Sequence, residues 1–286
     1  MTDVVQTIAA EARLDTGEQG LAELADEVLA HNAPTRALRA FLTRWCERSE
    51  RPLVLFLDEV DALVGDTLVS LLRQLRAGYR QRPSAFPSTL VLCGVRDLRD
   101  YRIHARSEAE PITGGSAFNI KAESLRLGDF HPEEVKTLLG EHTLETGQHF
   151  TPEAVEQVWT LTQGQPWLVN ALAYACCFRM PEGRDRTQPI HRALIDQAKE
   201  DLILRRVTHL DQLADKLREP RVRRIIEPML AGTALGEIPL DDRDYLVDLG
   251  LLRRVNGGSL EIANPIYREV LPQMLFTRID NLCCAL

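Results

Sequence analysis

Two short apolar runs, each stopping abruptly at charged residues, constrain this 286-residue chain more than any other feature. Leu53-Val54-Leu55-Phe56-Leu57 ends in Asp58-Glu59, and Thr89-Leu90-Val91-Leu92-Cys93-Gly94-Val95 ends in Arg96-Asp97. Runs that are continuously apolar, rather than alternating, mark strands covered on both faces. Between them, Leu68, Leu71, Leu72, Leu75 and Tyr79 recur at helical spacing from about Asp66. Strand, helix and strand at this separation make a βαβ unit, whose two strands are parallel. The expected fold class is α/β.

Helical patterns surround that unit. Before it, Leu21, Leu24, Val28 and Leu29 form one stripe and Leu38, Phe41, Leu42 and Trp45 another, separated by Asn32-Ala33-Pro34. After it, Asp100 to Ala122 is loop-like, and Ser124 to Leu127 reads as a short strand. Two helices then open with the same device, Phe130-His131-Pro132-Glu133-Glu134-Val135 and Phe150-Thr151-Pro152-Glu153-Ala154-Val155. Proline suits the first helical turn, Glu134 completes a capping box, and Phe130 with Val135 forms a hydrophobic staple. Near the C-terminus, Val222, Ile225, Ile226 and Met229 mark a helix, and Tyr245, Leu246 and Leu249 mark another. The runs Leu251–Val255 and Ser259–Ala263 flank Asn256-Gly257-Gly258, a hairpin signal because Asn-Gly supplies positive φ angles. Helix, helix, hairpin and helix is the winged-helix order.

Composition excludes several classes. The chain is 44% hydrophobic and 27% charged with no biased tract, which rules out disordered, collagen-like and mucin-like proteins. No apolar stretch approaches the roughly 20 residues needed to cross a bilayer. The N-terminus lacks the basic and apolar regions of a secretory signal. Cys46, Cys93, Cys176, Cys177, Cys283 and Cys284 include no C-x-x-C, so buried reduced thiols in a cytoplasmic protein are expected. The formal charge of −8 argues against non-specific coating of nucleic acid, while leaving room for a local basic face. Only Lys121, Lys136, Lys199 and Lys216 of the 34 basic residues are lysines; the other 30 are arginines.

The strand ending in Asp58-Glu59 is the strongest chemical signal, since open α/β sheets bind ligands at the carboxyl ends of their strands. In a nucleotide hydrolase Asp58 would hold Mg²⁺ through its water shell and Glu59 would orient the attacking water. Acids that merely close a strand and lead into the next helix are the alternative. Arg96, at the same edge of the next strand, would neutralise charge on a γ-phosphate, or pair with Asp97 or Asp100 on the surface. The loop containing Gly114-Gly115-Ser116 reads as a surface loop. His104, His131, His142 and His149 lack metal-ligand spacing.

These residues sit in longer runs, LVLFLDEVD from Leu53, VLCGVRDLRDYRI from Val91, GGSAFNIKAESLRLGDF from Gly114 and TQGQPWLVNALA from Thr162. Together they resemble bacterial AAA-like P-loop ATPases, related to the AAA+ and STAND groups and often followed by a nuclease-like domain. The resemblance extends from about residue 35 to about residue 275. It implies a partial P-loop NTPase parallel sheet followed by a helical lid and a winged-helix unit, with ATP and Mg²⁺ as ligands in the complete family. By the same resemblance Asp58 and Glu59 are the Walker B pair and Arg96 stands at the sensor-1 position. Gly164 and Pro166, in the Gly164-Gln165-Pro166 turn, open the lid helix that approaches the nucleotide. The implied organisation is a helical segment at 1–50, the ATPase core at 51–130, the lid at 131–205 and the winged-helix-like domain at 206–286.

One element of that family is missing. A P-loop is G-x-x-x-x-G-K-[ST], with backbone amides cradling the phosphates and the lysine bridging the β and γ oxygens. None of the four lysines stands in such a sequence. The expectation is a chain that begins after its P-loop, or else a degenerate ATPase that retains only the scaffold; in either case it does not hydrolyse ATP alone. Without the neighbouring strand, the 89–95 strand has an open edge and the 124–127 strand has no partner, so self-association through sheet edges is expected. A non-catalytic scaffold binding a protein partner is the other reading, and a metal-dependent hydrolase using Asp58 and Asp61 is a third. DNA reading by the winged helix is disfavoured. Asp241, Asp242, Asp244 and Asp248 would face the polyanion, opposed by Arg243, although Arg221, Arg223, Arg224, Arg253 and Arg254 lie nearby.

Overall fold

The computed structural model describes residues 1–63, 65–94, 123, 125–205, 213, 215–233, 236–255 and 258–283, with the side chains of Asp61 and of 276–283 left aside. The chain falls into two units, Met1–Leu125 and Arg126–Leu286.

The first unit starts with three helices, α1 (Thr2–Thr16), α2 (Leu21–His31) and α3 (Pro34–Arg48). Strand β1 (Val54–Leu57) follows, then a 3-10 turn at Val60–Ala62, α4 (Gly65–Gly78), a second 3-10 turn at Tyr79–Gln81, and β2 (Thr89–Leu92). Pro34 occupies the first turn of α3, where its missing N–H is no loss. The predicted stripe Leu38, Phe41, Leu42 and Trp45 is buried, and these side chains pack with Leu68, Leu71, Leu72 and Leu75 of α4 into one core. Each such large side chain stabilises the fold by about 1.5–3 kcal/mol when buried. The Trp45 indole satisfies its N–H on Glu18 at 2.8 Å. Gly78, the last residue of α4, has no room for a side chain, since a Cβ there would stand 2.2 Å from the buried Phe86 ring.

Strands β1 and β2 pair in parallel, in the register Val54 with Thr89 to Leu57 with Leu92, as expected for a βαβ unit. The sheet differs from expectation in its cover. Leu53, Leu55, Leu57, Leu90 and Leu92 pack against the helical core, whereas Val54 and Phe56 on the opposite face are 53% and 66% exposed. Among the described residues helices cover one face only, so a run that reads as doubly buried is exposed on its other face at Val54 and Phe56. Tyr79 is a second difference: the 3-10 turn after Gly78 takes it out of the α4 stripe, and it is 62% exposed. Among the described residues the sheet has two strands, and Leu125, Arg126 and Leu127 belong to no strand. Leu125 and Leu127 are exposed.

Among its described residues the second unit is helical apart from one ribbon and an isolated parallel bridge between Phe150 and Ile190. Its helices are α5 (Pro132–Thr146), α6 (Pro152–Thr162), α7 (Pro166–Tyr174) running into a π turn at Ala175–Arg179, α8 (Pro181–Arg184) and α9 (Arg192–Leu204). Then come α10 (Pro220–Leu230), α11 (Leu240–Asp248), β3 (Leu252–Arg254), β4 (Leu260–Ile262) and α12 (Pro265–Cys283). Strands β3 and β4 are antiparallel, in agreement with the hairpin reading; Asn256 and Gly257 lie outside the described residues. The N-terminal devices of α5 and α6 are present. The His131 amide donates to Glu134 Oε2 at 2.7 Å, and Thr151 Oγ1 accepts from the Ala154 amide at 3.3 Å. A single core draws on α5 to α7 and α9 to α12 and includes Val135, Val158, Leu172, Ile195, Ile226, Leu246 and Ile266.

Candidate functional site

Backbone pairing carries the end of β1 past its last residue. Leu57 O accepts from the Cys93 amide at 2.8 Å, and Cys93 O accepts from the Val60 amide at 3.0 Å. Between those bonds the chain must turn away from β2, and it does so at Glu59, which adopts the left-handed conformation at φ 51° and ψ 36°. A non-glycine residue there is uncommon and strained. The turn is held by the Glu59 amide, which donates to Asp58 Oδ1 at 2.8 Å. Both carboxylates are exposed at the carboxyl end of the parallel sheet, beside the half-exposed Cys93. Cys93 departs from the expectation of buried thiols, which Cys46, Cys176 and Cys177 meet.

Among the described residues this edge offers the carboxylate oxygens of Asp58 and Glu59. Mg²⁺ keeps several waters and takes one or two carboxylates together with substrate phosphates. Asp58, with Oδ1 engaged by the turn, fits that role for a hydrated ion. No lysine occurs before residue 121, and among the described residues of this edge none supplies a cation for the phosphates of ATP. Among the described residues, no three His, Cys, Asp or Glu side chains are gathered to hold a metal by themselves. Arg96 and the Gly114-Gly115-Ser116 loop lie outside the described residues, as does the Asp61 side chain.

Gly164 and Pro166 belong to the second unit, where the fold itself accounts for their identities. Gly164 is left-handed at φ 82°, and a Cβ on it would stand 2.0 Å from Phe130 O. The Phe130 amide donates to Gly164 O at 2.8 Å, so the two segments meet backbone to backbone. Gln165 caps α7 by accepting from the Leu168 amide at 2.6 Å, and Pro166 fills the first turn.

The basic cluster of the second unit is internally neutralised. Arg221 donates to Glu219 at 2.9 Å and Arg223 to Glu227 at 2.7 Å, while Arg224, Arg253 and Arg254 pair with Asp242, Glu261 and Asp244. Three lysines are likewise paired on the surface: Lys136 with Glu133, Lys199 with Glu200 and Glu269, and Lys216 with Glu219. No described helix is long and apolar enough to cross a membrane.

No protein-family model matches the chain, and no curated protein matches it. Solved structures do. The Walker-type ATPase of Pyrococcus abyssi superposes with a TM-score of 0.56 at 16% identity, over 85% of this chain and 69% of that one. The RuvB Holliday junction branch migration motor of Thermotoga maritima is also matched at 16% identity, over 82% of this chain and 74% of that one, with a TM-score of 0.45. The likeness to the Walker-type protein is one of fold: a small parallel sheet with helices, similar to a P-loop ATPase.

Proposed function

We propose that the chain is an ATPase-family core of the AAA-like, STAND-related kind that retains a Walker B edge without a phosphate cradle. One observation carries the reading: the parallel strand β1 delivers Asp58 and Glu59 through a strained left-handed turn at the sheet's carboxyl edge. The likeness of fold to a Walker-type ATPase supports it. Asp58 would hold hydrated Mg²⁺, which when bound neutralises phosphate charge, and Glu59 would orient water. Helices α5 to α9 would serve as the lid, opened by Gly164 and Pro166, and α10 to α12 with their ribbon as a winged helix. Without a P-loop lysine the chain alone does not turn over ATP. The test is phosphate release with Mg²⁺-ATP. Release no faster than that of the Glu59→Gln variant supports the proposal, and turnover that Glu59→Gln abolishes refutes it.

A second reading, a scaffold that self-associates or holds a protein partner, is favoured by the bare sheet face at Val54 and Phe56. Exposed apolar strands with open edges invite pairing with another chain. Arg221, Arg223, Arg224, Arg253 and Arg254 are each paired with a carboxylate, which supports an intramolecular role for them over contact with DNA.

A further inference from the structure

The acidic balance of the chain breaks down along one stretch of the first unit. From residue 67 to residue 96 there is no Asp or Glu, and Arg73, Arg76, Arg80 and Arg82 fall within that stretch. Helix α3 packs against α4 and adds Arg36, Arg39, Arg44 and Arg48, with Glu47 as its one carboxylate. A polar hollow of about 440 Å³ opens on this surface, lined by Arg36, Arg39 and Arg44 with Asn32, Gln81 and Glu47.

The hollow is built on fixed elements. Gln74 of α4 is buried, and its Nε2 donates to Pro34 O at 3.1 Å while its Oε1 accepts from the Arg39 amide at 3.2 Å. Thr43 of α3 reaches Gln81 of the following turn at 3.5 Å. Arg44 is held by Glu27 at 2.6 Å, but Arg36, Arg39, Arg73 and Arg80 carry no ion pair among the described residues. Their environment contrasts with that of the second unit, where Arg221, Arg223, Arg224, Arg253 and Arg254 are all matched by carboxylates.

Planar guanidinium forks match phosphate oxygens two at a time, which an ammonium does not. The 3-10 turn that supplies Gln81 to the hollow also carries Tyr79, exposed, with the Arg82 guanidinium 4.9 Å from its ring centroid. A hollow lined by arginines, with an exposed aromatic ring two residues along the chain from its Gln81, offers what a single strand needs, charge for its backbone and a platform for a base.

We propose that the α3 hollow and Tyr79 bind single-stranded nucleic acid, with Arg36 and Arg39 on backbone phosphates and Tyr79 stacked on a base. The site is independent of the Asp58–Glu59 edge and of any nucleotide chemistry there. Its test is fluorescence anisotropy of a labelled oligo-dT titrated with the full chain at several salt concentrations. Saturable binding is expected. Arg36→Glu with Arg39→Glu should weaken it at least about tenfold and flatten the salt dependence by about 0.7 in slope for each phosphate no longer neutralised. Tyr79→Ala should weaken it at least about fivefold and leave that slope unchanged. All three positions are exposed, and coincident thermal unfolding curves verify that the variants fold. Arg223→Glu with Arg224→Glu should have no effect. The proposal is overturned by an absence of binding, by losses confined to the Arg223 and Arg224 variant, or by equally tight duplex binding that ignores Tyr79→Ala.

Discussion

The Glu59 amide donates to Asp58 Oδ1 at 2.8 Å, so the backbone of one strand-end carboxylate residue is fixed by the side chain of the other. The bond holds Glu59 in a left-handed conformation that costs an L residue roughly 1–2 kcal/mol. Glycine would adopt it freely. Glu59→Gly should therefore leave stability unchanged or raise it by up to about 1 kcal/mol, after the larger chain entropy of glycine is offset. Urea unfolding measures this; a loss above about 1 kcal/mol would show that the Glu59 side chain serves the fold and not a site.

Gly164 is the opposite case. Alanine there meets both an unfavourable positive φ and the Phe130 carbonyl at 2.0 Å. Left-handed strain and overpacking together predict a loss of about 3 kcal/mol or more for Gly164→Ala. Near-wild-type stability in chemical denaturation would remove the structural explanation for this glycine.

Glu219 ties the second unit to pH. Burial pushes its carboxyl up, but hydrogen bonds from Tyr245 and Arg221 and the charges of Arg221 and Lys216 outweigh that, and its pKa lies below the ordinary value of 4.5. A depressed folded pKa gives stability that is present above 4.5 and is lost as pH falls through the folded value. Glu219→Gln should cost about 1.5–3 kcal/mol at neutral pH, the worth of hydrogen bonds to a charged group. It should also remove part of the acid-side loss. A variant whose stability falls with acid as steeply as the wild type would contradict this account.

Phe56 tests the bare sheet face. At 66% exposure it contributes little to the core, so Phe56→Thr should change stability by no more than about 0.5 kcal/mol. Sedimentation velocity should show self-association of the wild type that this change weakens. Identical monomeric behaviour of both chains would dismiss the scaffold reading.

Much of the architecture is legible in the sequence because local patterns specify it. The stripe from Leu38 to Trp45, the strand pair and the caps at His131 and Thr151 all follow from spacing and residue type. The cover of the sheet is not legible, since Val54 and Phe56 are apolar whether or not a helix lies over them. Tyr79 continues the α4 period in sequence but stands in the 3-10 turn after the helix end at Gly78. Asp58 and Glu59 are visible as a pair, whereas the left-handed turn is hidden, because glutamate does not announce a positive φ as glycine does. The arginine hollow is hidden for another reason. Arg36 and Arg39 come together with Gln81 only when α3 packs on α4. The acid-free stretch from residue 67 to residue 96 is the signal that points to it.

The central claim is a Walker B edge without a phosphate cradle, and isothermal titration of the full chain with ATP in the presence and absence of Mg²⁺ tests it most directly. The account predicts no saturable, Mg²⁺-dependent binding tighter than about 100 µM, equivalent to roughly 5.5 kcal/mol. Tighter Mg²⁺-dependent binding that Asp58→Ala abolishes would contradict it, by showing that these residues assemble a working nucleotide site without a P-loop lysine.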